Sequence, residues 1–303
     1  METISFELNG QKLDALAGET IIQVADRVGI ADIPRLCYKE GYRTDGNCRS
    51  CVVEIEGERA LAPSCCRYPQ QGMKVISDSK RALHSQKMVL ELLLADMPDS
   101  AKSPYTPNSE LDQWVEKMGL GEPRFYRRKQ PKLDNSHPAM SVNLDACIQC
   151  TRCVRACREV QVNDVIGMAF RGSHAEIVFD LGDPMGDSTC VACGECVQAC
   201  PTGALMPAKN VGLEKVDKKV ESVCPYCGVG CLLTYHVKDK KLLRVEGRKG
   251  PANKERLCVK GRFGFDYVHH PDRLKKPLIR LKDAPKTTEL LRPEDWQKVF
   301  REA

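Results

Sequence analysis

Aromatic residues are scarce in this chain, long apolar runs are missing, and charge of neither sign dominates. Only 6% of its 303 residues are aromatic, so large rings are excluded as the main source of a core. Small domains that fold around metal need little such core, because metal binding itself contributes folding free energy. The longest apolar run, Met88 to Met97, is interrupted by Glu91 and Asp96 and falls well short of the roughly 20 residues that span a bilayer. The N-terminus enters an apolar alternation directly, with no basic flank, apolar stretch or small-residue cleavage site. We therefore expect a cytoplasmic chain with no export signal and no membrane insertion. Net charge is +5, from 46 basic and 41 acidic residues. The basic cluster PRFYRRKQPK, around Arg124 to Lys132, has one aromatic pair and no periodic pattern behind it. It reads as a solvated linker or partner-docking face, and no nucleic-acid partner is expected.

Cysteine, by contrast, is abundant. Seventeen cysteines fall into four groups, at 37–66, 147–157, 190–200 and 224–258. Such clustering is what soft-metal ligation produces, since thiolate ligands must converge on one point; disulfides would need an oxidising compartment. The two middle groups, CIQCTRCVRAC and CVACGECVQACP, both have the spacing C-x2-C-x2-C-x3-C. In this bacterial ferredoxin pattern three close thiolates hold one [4Fe–4S] cluster and the fourth crosses to the other. The spacing thus predicts Cys147, Cys150, Cys153 and Cys200 around one cluster, and Cys157, Cys190, Cys193 and Cys196 around its neighbour. Pro201 follows the second run, whereas Arg158 stands in that place after the first. A pair of zinc sites would require only two CxxC pairs per metal. Between the runs, two short alternating segments flank a turn at Gly172-Ser173, and Gly182 to Gly186 reads as an exposed loop.

At the N-terminus, residues 3 to 8 alternate, Asn9-Gly10 signals a type I′ hairpin, and Gln11 to Ala15 pair back. The run IIQVADRVGI has helical spacing and stops at Gly29. Strand, hairpin, strand, helix and then a cysteine loop is the order of a β-grasp ferredoxin. Its loop contains Cys37, Cys48 and Cys51, with adjacent Cys65 and Cys66 competing for a fourth place. A helix is predicted from Lys80 to Ala95, then a connector rich in Pro, Ser, Lys and Asp with one helical piece at SELDQWVEKMGLG. The last group, Cys224, Cys227, Cys231 and Cys258, suits either zinc or a [4Fe–4S] cluster.

The text DGNCRSCVVEIEG, followed by LAPSCCRYPQQGMKV, resembles the N-terminal [2Fe–2S] domain of three related groups. These are the large iron–sulfur subunit of respiratory NADH dehydrogenase, the iron-only hydrogenases, and NAD-linked formate dehydrogenase alpha subunits. That resemblance implies a last ligand seven residues before the Gly of a Gly-Met pair, here Gly72-Met73, hence Cys65. Cys66 is then a small buried hydrophobe. In the resembling families the long helix leads to a further cluster held by one His and three Cys, with the His just before a proline. Here Met97 precedes Pro98 and no cysteine follows before Cys147, so that cluster is expected to be absent; His84 reads as a surface or packing histidine. The text VCPYCGVGCLLTYHV, then LCVKGRFG, resembles the cluster domain of molybdenum or tungsten oxidoreductases that carry bis-molybdopterin guanine dinucleotide. There a lysine two residues after the last ligand lies between cluster and pterin, which implies an electron-relay role for Lys260. YVHHPDRLKKPLIR and PEDWQKVFREA resemble the entrance to the catalytic domain of those enzymes, whose formate-handling residues lie beyond this point, so no catalytic residue is expected within this chain.

The expected fold class is α+β: a β-grasp [2Fe–2S] domain at 1–79, a helix and connector at 80–137, a double [4Fe–4S] ferredoxin-like domain at 138–209, a small β-rich molybdopterin-oxidoreductase [4Fe–4S] domain at 217–273, and the start of a truncated catalytic domain at 274–303. The expected cofactors are one [2Fe–2S] and three [4Fe–4S] clusters. The expected function is the electron-transfer portion of a NAD-linked formate dehydrogenase, with a flavin- and NAD-binding partner subunit and a Mo or W pterin domain outside the chain. The alternatives are a standalone multi-cluster carrier, or a subunit of another pterin-dependent oxidoreductase or hydrogenase-type complex.

Overall fold

The computed structural model describes residues 3–98, 109–128, 132–208, 216–279, 283, 292–293, 297 and 300–301. The chain divides into two compact units, residues 1–263 and 264–303. All seventeen cysteines lie in the first, and the division falls inside the stretch 217–273 that the sequence reads as one domain.

Strands β1 (Thr3–Leu8) and β2 (Gln11–Leu16) form the expected hairpin. Asn9 and Gly10 both have positive φ, at 50° and 82°, as a type I′ turn requires. Helix α1 (Ile21–Val28) ends at Gly29, whose φ of 73° supplies a left-handed cap and whose N–H reaches the Ala25 carbonyl at 2.8 Å. Strands β3 (Val52–Ile55), β4 (Ala62–Pro63) and β5 (Lys74–Ile76) complete a five-stranded sheet of order β2-β1-β5-β3-β4. In it β1 and β5 run parallel. Apolar residues of α1 (Ile21, Ile22, Val24) pack with Phe6, Leu8, Val53 and Val75 of the sheet, which leaves the α1–β3 connection free to fold as a cysteine loop.

Helix α2 (Lys80–Leu94) buries Ala82, Gln86 and Leu90 along one stripe. Gln86 donates to the Val52 and Ser77 carbonyls at 2.9 and 3.1 Å, which ties α2 to the sheet. His84 is exposed, in keeping with a surface histidine. Helix α3 (Glu110–Lys117) begins with a Ser109/Asp112 capping box.

The double cysteine region opens on β6 (Met140–Val142) and closes on β9 (Leu205–Pro207), which pair antiparallel and bring its two ends together. Between them come helix α4 (Arg152–Arg155), the hairpin β7 (Ile166–Ala169) and β8 (Glu176–Phe179), and helix α5 (Glu195–Ala199). A meander of β10 (Lys218–Val223), β11 (Leu232–Lys238) and β12 (Lys241–Gly247) follows, then α6 (Val259–Phe263). The second unit contains a short 3-10 turn, Gly264–His269, and a two-residue pairing of β13 (Leu278–Ile279) with β14 (Arg292–Pro293). Most of the expected catalytic-domain entrance at 274–303 lies outside the described residues.

The basic cluster differs from a solvated linker, because its arginines are used within the chain. Arg124 holds Glu91 at 2.7 Å, and Arg127 and Arg128 donate to the Met97 and Ala175 carbonyls. The Arg124 guanidinium pulls the Glu91 carboxyl down to about 2. Residues 129–131 of the cluster lie outside the described residues. No described helix is long and apolar enough to cross a membrane.

Candidate metal centres

No disulfide joins any of the seventeen cysteines, all of which are among the described residues. In the first group, the loop after α1 and the turn after β4 bring four of them together. The Cys37 N–H donates to Cys48 Sγ at 3.4 Å, and Cys48 Sγ lies 3.1 Å from Ser50 Oγ. The Cys48 and Cys65 thiols both hydrogen-bond Cys37, which draws the Cys37 sulfur far below the usual thiol range. Cys65 also donates to Cys51, which brings that thiol down to about 7. Cys48 and Cys65, on the giving side, are raised. Cys66 Sγ sits 3.6 Å from Cys65 Sγ and crowds Gly46, where a Cβ would come within 2.7 Å of it. Cys65, not Cys66, shares hydrogen bonds with Cys37 and Cys51.

The two middle runs fold alike. Gln149 and Thr151 have φ of 55° and 61°, and the corresponding Ala192 and Gly194 have φ of 56° and 69°. Left-handed backbone at non-glycine residues costs of order 1–3 kcal/mol and persists where the surroundings impose it. Here it curls each CxxCxxC segment so that thiols and amides face inward, as in the Ala192 N–H that donates to Cys190 Sγ at 3.4 Å. Helix α4 then widens into a single π turn, Ala156–Val160, a distortion common at functional sites. This turn contains Cys157, whose sulfur accepts from the Val165 N–H at 3.4 Å.

The fourth cysteine of each run is aimed at the other run. Cys147, Cys150, Cys153 and Cys200 line one small cavity, together with Leu144, Ile148, Ile177 and Leu205. Burial pushes Cys147 and Cys150 up to about 12, and the Cys200 charge acts on both and on Cys153. In the other set, Cys196 is raised by burial and then by Cys193, Cys190 and Cys157. Cys147, Cys150 and Cys153, desolvated in this apolar cavity, resist ionisation, and a cationic iron centre is what reverses that preference. The donor set therefore fits a cluster. Among the described residues no three Cys, His, Asp or Glu side chains are placed to hold one metal ion; in a cubane each thiolate holds a different iron.

The last set sits on the meander. Cys224 follows β10, Cys231 precedes β11, and the Cys224 N–H donates to the Cys231 carbonyl at 2.8 Å. The charges of Cys224, Cys227 and Cys258 all act on Cys231. Cys227 and Cys258 are exposed, beside exposed Tyr226, Val229 and Val259. Lys260, to which the CVKG text points, is exposed too. Arg262, 3% exposed, donates to the Cys193 carbonyl at 2.9 Å and pairs with buried Glu195 at 3.3 Å. Burial lowers the Arg262 pKa, and Glu195 opposes that shift. Glu195 accepts from Tyr42 O–H at 2.7 Å, and Arg262 lies where a Cβ on Gly194 would be 2.1 Å from its Cδ.

Sequence reasoning missed the residues that join these groups. Arg152 and Arg155, one turn apart on α4, are 3% and 1% exposed. Arg152 pairs with Glu110 of α3 at 2.8 Å and donates to the Tyr38 carbonyl at 2.5 Å. Arg155 donates from one nitrogen to the Cys37 carbonyl at 2.7 Å and the Cys150 carbonyl at 3.2 Å. An apolar cluster fills the space around them, including Leu36, Cys37, Leu90, Leu111, Ile148 and Cys150. The only signal in the sequence was two arginines flanking Cys153.

Comparison with known proteins follows the same division. Residues 1–80 match the family model of a 2Fe-2S iron-sulfur cluster binding domain. Residues 137–206 match the ferredoxin-like domain of NADH-quinone oxidoreductase subunit 3, and residues 217–270 the molybdopterin oxidoreductase Fe4S4 domain. The chain is 34% identical to a G-type subunit of NADH-quinone oxidoreductase from Rhizobium meliloti, over 98% of this chain and 34% of that protein. It is 30% identical to the NADPH-Fe(3+) oxidoreductase subunit alpha of Geobacter sulfurreducens, over 91% of this chain and 33% of the relative. A Staphylococcus haemolyticus protein with a provisional formate dehydrogenase name is 28% identical, over 82% of this chain and 29% of its own length. The chain thus spans about a third of the length of these relatives. A chain of an NAD+-reducing [NiFe]-hydrogenase in the H2-reduced state superposes with a TM-score of 0.65 at 25% identity, over 71% of this chain and 92% of that one.

Proposed function

Because the chain belongs to the iron–sulfur proteins related to the G-type subunit of NADH-quinone oxidoreductase and to formate dehydrogenase, we propose that it is an electron relay of four clusters. The [2Fe–2S] ligands are Cys37, Cys48, Cys51 and Cys65. The three [4Fe–4S] sets are Cys147, Cys150, Cys153 and Cys200; Cys157, Cys190, Cys193 and Cys196; and Cys224, Cys227, Cys231 and Cys258. The observation that carries this reading is the crossing of Cys200 into the cavity of the first run, with Cys157 acting on Cys190, Cys193 and Cys196.

Clusters supply one-electron redox chemistry, at potentials set by hydrogen bonds to sulfur, local charge and solvent exposure. The chain's own residues supply those terms. The amides of Val165 and Ala192 donate to ligand sulfurs, apolar side chains exclude water, and the ion pairs Arg155–Asp45 and Arg262–Glu195 set the charge beside the cysteine loops.

Formate is the proposed electron donor, oxidised at a Mo or W pterin domain that covers the exposed Cys227–Cys258 face, and the proposed acceptor is a flavin- and NAD-binding partner subunit. The 28% identity to a formate dehydrogenase-named protein supports this end of the relay. A second reading keeps the relay and changes its ends, since the 34% identity to the Rhizobium meliloti protein favours a complex of the NADH-quinone oxidoreductase type. The native complex, isolated anaerobically, separates them. Formate alone should reduce the cluster EPR signals, and Mo or W should co-purify. Reduction by NADH but not by formate, with neither metal present, would assign the second reading.

A further inference from the structure

Beside the second cysteine run, three large apolar side chains face solvent: Val162, Leu181 and Val191. Each is next in sequence to a residue of the Cys157, Cys190, Cys193 and Cys196 set or to one bonded to it. Asn163, after Val162, donates from its side-chain nitrogen to Cys193 Sγ at 3.9 Å and from its backbone to the Cys157 carbonyl at 2.9 Å. Asp180, before Leu181, accepts from the Thr189 N–H at 2.7 Å and from its hydroxyl at 3.0 Å, and Thr189 leads directly into Cys190. Val191 follows Cys190. Val162 has a φ of 56°, a conformation that β-branched residues rarely adopt. Its exposure is therefore imposed by the fold around it. Cys190 and Cys193 are themselves half-buried, whereas Cys150 and Cys153 of the other set are buried, so this set comes nearer the surface.

Charge along this stretch is one-sided. From Glu159 to Glu195 the sequence has seven carboxylates, one arginine and no lysine, although the whole chain carries a net +5. Glu159, Asp164 and Glu195 pair with Arg43, Arg158 and Arg262, while Asp183 and Asp187 are exposed in the loop after Leu181. An apolar centre with a charged rim suits a transient electron-transfer partner, which buries little area and is found by electrostatic steering. We propose that this face is a side port of the relay, where a separate, small one-electron carrier with a basic face docks at the centre of Cys157, Cys190, Cys193 and Cys196. The proposal rests on the cluster assignment above. Lysines of the carrier meet Asp183 and Asp187, and its apolar centre meets Val162, Leu181 and Val191. In the step itself, the reduced [4Fe–4S] centre loses one electron and the oxidised carrier gains it. No bond forms or breaks, and no proton moves.

The test uses the native complex, isolated anaerobically, with ferric cytochrome c, a lysine-faced one-electron carrier, as the probe. Iron counting and EPR come first. Each form is then reduced with dithionite, freed of excess reductant and mixed rapidly with the probe at increasing salt. The wild-type rate should fall roughly tenfold or more as salt rises. Asp183→Lys combined with Asp187→Lys should slow transfer at low salt by roughly tenfold or more and remove most of the salt dependence. Leu181→Gln should slow transfer at every salt concentration. All variants should keep their iron and the complex's own substrate turnover. Carbodiimide, which joins carboxylates to lysines, should couple Asp183 or Asp187 to the probe, as read by mass spectrometry. Wild-type transfer rates in iron-replete variants, or cross-links only at other carboxylates, would overturn the proposal; both are the result if another part of the complex covers this face. Should the double variant lose iron, Leu181→Gln and the wild-type cross-links decide by the same outcomes. Absence of the [4Fe–4S] signals from the wild-type complex would instead overturn the cluster assignment.

Discussion

At the scale of single residues, two neighbouring cysteines differ in their surroundings, and the proposed ligand is the first. Cys65 is 0% exposed and hydrogen-bonds with Cys37 and Cys51, whereas Cys66 crowds Gly46. Cys65→Ser should therefore lose about two irons per chain together with the [2Fe–2S] EPR signal, and Cys66→Ser should keep both; the measurement is iron analysis with EPR of the reduced chain. A second pair tests the buried charges. Arg262 and Glu195 have side chains only 3% and 2% exposed, so Arg262→Met strands a carboxylate without its partner. That change should cost about 3–5 kcal/mol, read as a lower urea midpoint for the variant. The cysteines were legible in the sequence because ligand spacing is a local property, set by how a short loop curls around one point. Arg155 and Arg262 were not. Each is one among 46 basic residues, and only the folded chain brings it against a carbonyl more than sixty residues away. The helical turn that begins at Val259 leaves Lys260 exposed and carries Arg262 inward.

At the scale of elements, the hairpin, α1, α2 and α3 stand where turn chemistry and apolar periodicity put them. Asn9-Gly10 and Gly29 owe this to backbone conformations that few other residues adopt. What periodicity could not give is the partner of each helix face. Leu83, Val89 and Leu92 look apolar in sequence, yet the buried stripe of α2 runs through Ala82, Gln86 and Leu90. Helix α3 is short, but its one fully buried side chain, Leu111, packs in the cluster shared by Leu36, Cys37 and Cys150. Leu111→Ala should cost about 2–5 kcal/mol and show a lower unfolding midpoint. Iron should also be lost more readily at the Cys37 and Cys150 loops than at Cys224–Cys258. Equal loss at all sites would mean that α3 plays no part in joining them.

At the scale of the whole molecule, two family matches and all but the last seven residues of the third fall in one compact unit of residues 1–263. Buried arginines tie its cysteine loops together in pairs: Cys37 to Cys150 through Arg155, and Cys193 to the Cys258 helix through Arg262. The sequence allowed the domains to be named but not joined, since no local pattern encodes which loop carbonyl an arginine will reach. The proposed relay depends on sixteen of the seventeen cysteines holding iron, four to a centre. Its most direct test is iron and sulfide quantitation with EPR on the chain purified and reduced without oxygen. The expected result is about 14 irons per chain, with one [2Fe–2S] and three [4Fe–4S] signals. Zinc at the Cys224–Cys258 site, a fourth cubane signal, or colourless protein with its thiols paired would contradict it.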